Sequence, residues 1–118
     1  MRRILIAEDD ILLGGVYEIL LEEAGFEVLW SRDGQEALEA FDAFAPDLLI
    51  TDNAMPRMTG AELIRAVEGS RVPVLMVSAS DPRALKVEPD MWLEKPINPA
   101  RLLNAVRALQ HRDVQAAA

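Results

Sequence analysis

Five short runs rich in Ile, Leu and Val, at residues 3–7, 26–30, 47–51, 72–77 and 91–94, alternate with stretches of helical patterning. No other feature limits the fold so strongly. Runs that are apolar on both sides suit strands of a parallel sheet covered by helices on both faces. The pattern predicts helices over 11–24, 34–43, 60–68 and 98–110, punctuated by Gly25, Gly34, Pro46, Gly60, Gly69 and Pro73. Connections this short require right-handed crossovers, so the predicted class is a doubly wound α/β fold with a five-stranded parallel sheet. One connection breaks the rhythm. Between the fourth and fifth runs, in SASDPRALKVEPD, Pro82 and Pro89 bracket only six residues. A full helix does not fit there, and one turn or a loop is expected.

A chain of 118 residues, 51% of them hydrophobic, builds one core and leaves no room for a second domain, so residues 1–118 are read as a single domain. Cysteine is absent, which excludes disulfides, thiolate metal sites and a cysteine nucleophile and fits a reducing, cytoplasmic setting. The start, MRRILIAEDD, meets charge after four apolar residues, and no stretch nears the ~20 apolar residues of a membrane span. Twenty acidic residues against twelve scattered basic ones give a net charge of -8, which argues against direct nucleic-acid binding. The single histidine, His111, is expected to be a solvated surface residue, which argues against a histidine kinase. The Ala tail at 116–118 is expected to fray.

In an open parallel sheet the ligand crevice lies beyond the carboxyl ends of the strands. Here those ends are acidic: Glu8, Asp9 and Asp10 follow the first run and Asp52 the third, while Ser78 ends the fourth and Lys95-Pro96 the fifth. Carboxylates gathered in one crevice repel one another, and a hard divalent cation with oxygen ligands, Mg2+ above all, relieves that repulsion. A lysine and a hydroxyl facing them suit the oxygens of an incoming phosphoryl group. Asp52 is the candidate nucleophile, because a carboxylate can form an acyl phosphate. A plainer reading competes at single positions. Asp10 is more simply the N-cap of the helix from Ile11, and Glu8 and Asp9 suit that helix's positive end.

Four motifs carry a resemblance over essentially the whole chain: IAEDD, LLITDNAMPRMTG, VPVLMVSAS and WLEKPI. Together they resemble the receiver family of two-component signalling. The resemblance implies a flavodoxin-like sheet of order 2-1-3-4-5, with the fourth helix shortened or missing in this chain. It implies Asp52 as phosphorylation site, Asp9 and Asp52 as Mg2+ ligands with the backbone carbonyl of Ala54, and Glu8 acting through water. Ser78 would hydrogen-bond the phosphoryl group, Lys95 would pair with it, and Pro96 would follow a cis peptide bond. Trp92, three residues before the lysine, holds the position of the family's switch aromatic, with a ring larger than the usual Tyr or Phe. A sensor histidine kinase or histidine phosphotransferase is the implied donor. Transfer would be partly self-catalysed and hydrolysis intrinsic, so the chain is not classed as an enzyme. With no output domain in the sequence, the signal is expected to pass by contact with a downstream protein or along a phosphorelay.

The first helix is more apolar than its core face requires. With Leu13, Val16, Tyr17, Leu20 and Ala24 taken as the inward stripe, Ile11 falls outside it, and Leu12, Gly15 and Ile19 form a second stripe beside it. Gly14 and Gly15 each cost up to about 1 kcal/mol in a helix, yet allow another helix to approach closely. This face is expected to dock the kinase's or phosphotransferase's histidine-bearing helices, or to mediate self-association. A haloacid-dehalogenase-type phosphatase would need a second Asp where Ala54 stands, and a flavin phosphate would be repelled by Glu8, Asp9 and Asp10. The remaining alternative is a receiver-like interaction domain that works without phosphorylation.

Overall fold

Three of the five apolar runs, at 3–7, 47–51 and 72–77, are buried along most of their length because each becomes a strand with covered faces, whereas those at 26–30 and 91–94 become the sheet's partly covered edges. The computed structural model describes residues 1–117 and the side chains of residues 1–112. Its strands are β1 (Arg3–Ala7), β2 (Glu27–Ser31), β3 (Leu48–Thr51), β4 (Val74–Ser78) and β5 (Met91–Glu94). Its helices are α1 (Ile11–Glu23), α2 (Gly34–Phe44), α3 (Gly60–Val67), which runs into a short 3-10 turn, and α4 (Pro99–Ala117). The five strands form one parallel sheet in the order β2-β1-β3-β4-β5, as expected.

Alternation along the strands divides the core into two layers. Ile4, Ile6, Leu48, Ile50, Leu75 and Val77 pack with Tyr17 and Leu21 of α1 and Leu102 and Val106 of α4. Leu5, Ala7, Leu49, Val74 and Met76 face the other way, onto Ala37 and Phe41 of α2 and Leu63, Ile64 and Val67 of α3. Edge strand β2 is only half covered along most of its length, whereas β1, β3 and β4 are buried from their second residue at the latest.

The β4–β5 connection is a hydrogen-bonded turn in place of a crossover helix. Ala84 N–H donates to the Asp81 carbonyl at 3.0 Å, and Val87 N–H returns to the Pro82 carbonyl at 3.1 Å. Pro82 and Val87 are buried beneath it, and the Arg65 guanidinium of α3 donates to the Leu85 carbonyl at 2.7 Å. Val87 packs into the α2–α3 core layer and Arg65 ties the turn to α3, but the flank is only partly covered: Pro82, Val87 and Trp92 line an open cleft there.

Three expectations need correction. The last helix runs on to Ala117 rather than stopping at 110, and it includes two of the alanines expected to fray; Ala118 lies outside the described residues. The inward stripe of α1 is rotated: Gly14, Tyr17 and Leu21 are buried, whereas Val16 is 44% exposed. The close approach expected at Gly14 is real but internal, because the ring of Trp30 from β2 occupies the space a Cβ would need.

Candidate functional site

Three charged residues stand one step past the ends of their strands, and each stays in the sheet's hydrogen-bond ladder. Glu8 N–H donates to the Ser31 carbonyl, Asp52 N–H to the Ala7 carbonyl and Lys95 N–H to the Ser78 carbonyl, each at 3.0 Å. The backbone that carries these side chains therefore has strand rigidity, although the residues lie at the crevice. The Lys95–Pro96 peptide bond is cis, as the resemblance implied.

Those side chains converge. Lys95 Nζ donates to Glu8 Oε1 at 2.9 Å and to Asp52 Oδ2 at 3.0 Å, while the other Asp52 oxygen accepts the Asn53 N–H at 2.6 Å. Glu8 and Asp52 are buried and Asp9 is exposed at the rim. Burial pushes the Glu8 carboxyl above its usual range, an effect its hydrogen bond from Lys95 reduces. Burial also disfavours the Lys95 cation, but the hydrogen bonds to Glu8 and then Asp52 outweigh it and push the amine up to about 12.

Glu8, Asp9 and Asp52 each offer a carboxylate oxygen, and the three lie within 4.8 Å of one another. An all-oxygen donor set is the chemistry that Mg2+ prefers, and one ammonium cannot balance three carboxylates, so the cluster fits a divalent cation. Ala54, whose carbonyl the sequence proposed as a further ligand, lies two residues beyond Asp52 in the exposed start of the β3–α3 loop.

Asp10 behaves as a cap. Its Oδ1 accepts the N–H groups of Leu12 and Leu13 at 2.9 and 3.0 Å. Asp10→Ala is expected to cost about 1 kcal/mol in a urea titration and to leave Mg2+ affinity unchanged, since that carboxylate is committed to α1.

The loop after Asp52 is held by residues that sequence reasoning passed over. Asn53 Oδ1 accepts the Ala61 N–H at 3.0 Å, and Gly60 N–H donates to the Asn53 carbonyl at 3.0 Å. Thr59 and Glu62 form a capping box at the start of α3, a T-x-x-E signature present in the sequence. Arg57, at φ 66°, grips Asp33, the N-cap of α2, through its Nε at 3.0 Å and a terminal nitrogen at 3.2 Å. That side-chain hydrogen bond is the main reason the Asp33 carboxyl is lowered from its ordinary value. No local signal pairs Arg57 with Asp33, which lies 24 residues earlier.

A Cβ at Gly60 would overlap the Asp52 carbonyl oxygen, which is backbone and cannot rotate aside. Alanine otherwise favours a helical position, so the two effects differ in sign. Gly60→Ala is expected to destabilise by about 2 kcal/mol through overpacking, read as a lowered urea midpoint; an unchanged or raised midpoint would show that the loop yields.

Ser78 is buried, and its hydroxyl donates to the Ser80 carbonyl at 2.6 Å. Its own carbonyl accepts both Lys95 N–H at 3.0 Å and the Trp92 indole N–H at 3.3 Å. The Ser78 carbonyl therefore ties the backbone of Lys95 to the indole of Trp92, while the Ser78 hydroxyl is engaged separately by the Ser80 carbonyl. Beside the acidic loop, α1 exposes Ile11, Leu12, Val16 and Ile19 to solvent, whereas Gly15 is half-buried with open space where a Cβ would stand. His111 is exposed, as expected.

Residues 4–107 match the model of the response regulator receiver domain. The chain belongs to that family. It is 33% identical over 118 residues to the transcriptional regulatory protein CpxR of Escherichia coli K12, covering 95% of this chain and 50% of that one. It is 28% identical over 123 residues to the alkaline phosphatase synthesis transcriptional regulatory protein PhoP of Bacillus subtilis, covering 98% and 51%. The chain thus spans about half the length of these curated relatives. Among solved structures, a CheY-like receiver domain protein from Methanospirillum hungatei superposes with a TM-score of 0.90 at 25% identity, with 98% of each chain covered. The chemotaxis response regulator CheY4 of Vibrio cholerae gives 0.81 at 32%, covering 92% of this chain and 98% of that one.

Proposed function

We propose that this receiver domain is a phosphoacceptor switch that takes a phosphoryl group from phosphohistidine onto Asp52. The observation that carries the reading is the convergence of Glu8, Asp9 and Asp52 with Lys95 at one crevice. In the transfer an Asp52 carboxylate oxygen forms the new P–O bond as the P–N bond to imidazole breaks, and that electron pair stays on the ring nitrogen. Water later attacks the acyl phosphate and regenerates the carboxylate, so both steps are intrinsic to the domain and it is not an enzyme with a turnover substrate. Mg2+, held by Asp9, Asp52 and the Ala54 carbonyl, with Glu8 through water, would draw charge off the phosphoryl oxygens when bound. Lys95 would turn from the two carboxylates to a phosphoryl oxygen, a charge-assisted contact. The Ser78 hydroxyl would leave the Ser80 carbonyl to donate to another, and Trp92, bonded to the Ser78 carbonyl, would register that movement.

The donor is a sensor histidine kinase or histidine phosphotransferase, whose helical histidine domain docks on Ile11, Leu12, Val16 and Ile19 beside Gly15. The output is contact with a downstream protein or a further phosphorelay step in the cytoplasm. Among the described residues no helix is long and apolar enough to cross a membrane.

The test is intact mass after incubation with acetyl phosphate or phosphoramidate and Mg2+. The expected result is a gain of one phosphoryl group that requires Mg2+ and is absent in Asp52→Asn. No adduct, together with no beryllofluoride binding, would overturn the switch and leave a phosphorylation-independent interaction domain.

A further inference from the structure

Glu8 is held from both ends of its backbone by edge strand β2. Its N–H donates to the Ser31 carbonyl at 3.0 Å, and its carbonyl accepts the indole N–H of Trp30 at 2.9 Å. The second bond is unusual in kind, because a side chain continues the ladder one peptide beyond the last strand pair, Ala7 with Ser31. It fixes the plane of the Glu8–Asp9 peptide, and so the directions in which both carboxylates leave the backbone. Asp9 needs this help most: among the described residues its exposed carboxylate makes no hydrogen bond or ion pair, so only its backbone aims it.

The seat for the indole is built on purpose-fitting neighbours. Gly14 is buried inside α1, where glycine costs helix stability relative to alanine. A Cβ there would overlap three indole atoms of Trp30, including Nε1 itself. On another side the Arg32 guanidinium lies 5.5 Å from the ring centroid, a cation–π distance. The missing side chain at position 14 therefore lets the indole reach the carbonyl of the acidic loop.

We infer that Trp30 is a positioning residue of the divalent-cation site, acting through the Glu8 carbonyl, with Gly14 as its required seat. The inference rests on the reading of Glu8, Asp9 and Asp52 as a Mg2+ site. Outer hydrogen bonds that orient metal ligands are commonly worth tenfold or more in affinity.

The experiment is calorimetric titration of the full chain with MgCl2. Trp30→Phe, which keeps an aromatic ring and loses the N–H, is expected to weaken Mg2+ binding about tenfold while the protein stays folded by circular dichroism. Gly14→Ala, which displaces the indole, is expected to weaken it similarly. Gly14→Ala/Trp30→Leu makes room for the methyl group, so it is expected to recover stability over Gly14→Ala without recovering Mg2+ affinity; a purely structural role would recover both. The chain has two tryptophans. In Trp92→Phe the emission of Trp30 alone is expected to shift on Mg2+ addition with the calorimetric midpoint. Undiminished affinity in folded Trp30→Phe, or affinity restored in the double variant, would overturn the positioning role alone. A wild-type protein that binds no Mg2+ would overturn the metal site and this inference together.

Discussion

Lys95→Met is expected to destabilise the protein by about 2–3 kcal/mol at neutral pH without Mg2+, below the usual cost of breaking a fully buried pair because the lysine is partly solvated. Its ammonium is the cation bridging Glu8 and Asp52, whose side chains are only 3% and 10% exposed, while Lys95 itself is 20% exposed. Methionine fills much the same volume and leaves two buried carboxylates facing each other. The pH dependence gives the sign. In the native protein the amine is raised from its ordinary 10.5 to about 12, so its contribution is complete below 10.5 and lost as pH rises through about 12. In the variant, Glu8 loses the hydrogen bond that now offsets burial, and its carboxyl rises further. A carboxyl raised in the folded state destabilises while ionised, and that penalty disappears as pH falls and it takes up a proton. The stability gap between wild type and Lys95→Met should therefore narrow on acidification. Urea titrations between pH 8 and pH 5 measure it, and a gap independent of pH would contradict the bridge. Phosphoryl acceptance from acetyl phosphate should also fall by about a hundredfold, the usual scale for a lost charge-stabilising group.

A separate experiment addresses the donor. Leu12→Glu/Ile19→Glu should slow transfer from a histidine kinase or phosphotransferase about a thousandfold, taking about 2 kcal/mol for each buried apolar anchor at an interface. Folding should be unaffected, because Leu12 is 80% and Ile19 58% exposed. Leu12 also lies in the first turn of α1, where a glutamate is favoured by the helix dipole. Phosphorylation by acetyl phosphate provides the internal control, since a small donor needs no docking surface. Equal slowing with both donors would place the defect in the site, and no slowing with either would remove α1 as the docking face.

Much of the fold was legible because strand and helix periods are local properties of the chain. The five apolar runs, the helix starts at Ile11, Gly34 and Gly60, and the missing crossover helix between Pro82 and Pro89 all came from patterns within a few residues. Glu8, Asp9, Asp52 and Lys95 were legible for a related reason. A parallel sheet brings the carboxyl ends of its strands to one edge, so knowing the strand ends is enough to gather the side chains that follow them.

Helix phase and polar pairing were settled elsewhere. The inward face of α1 depends on what lies beneath it: Trp30 fills the space above Gly14, Leu21 turns into the core, and Val16 turns out. A stripe drawn from hydropathy alone cannot distinguish two adjacent apolar faces of one helix. Asp33 and Arg57, or Trp30 and the Glu8 carbonyl, become partners only after the sheet has brought distant segments together. The sequence by itself determined the alternating architecture and the residues at its crevice, because both follow from short-range spacing. Tertiary structure alone decided that Lys95 bridges carboxylates 87 and 43 residues away, because a hydrogen bond depends on distances between atoms that spacing along the chain does not specify.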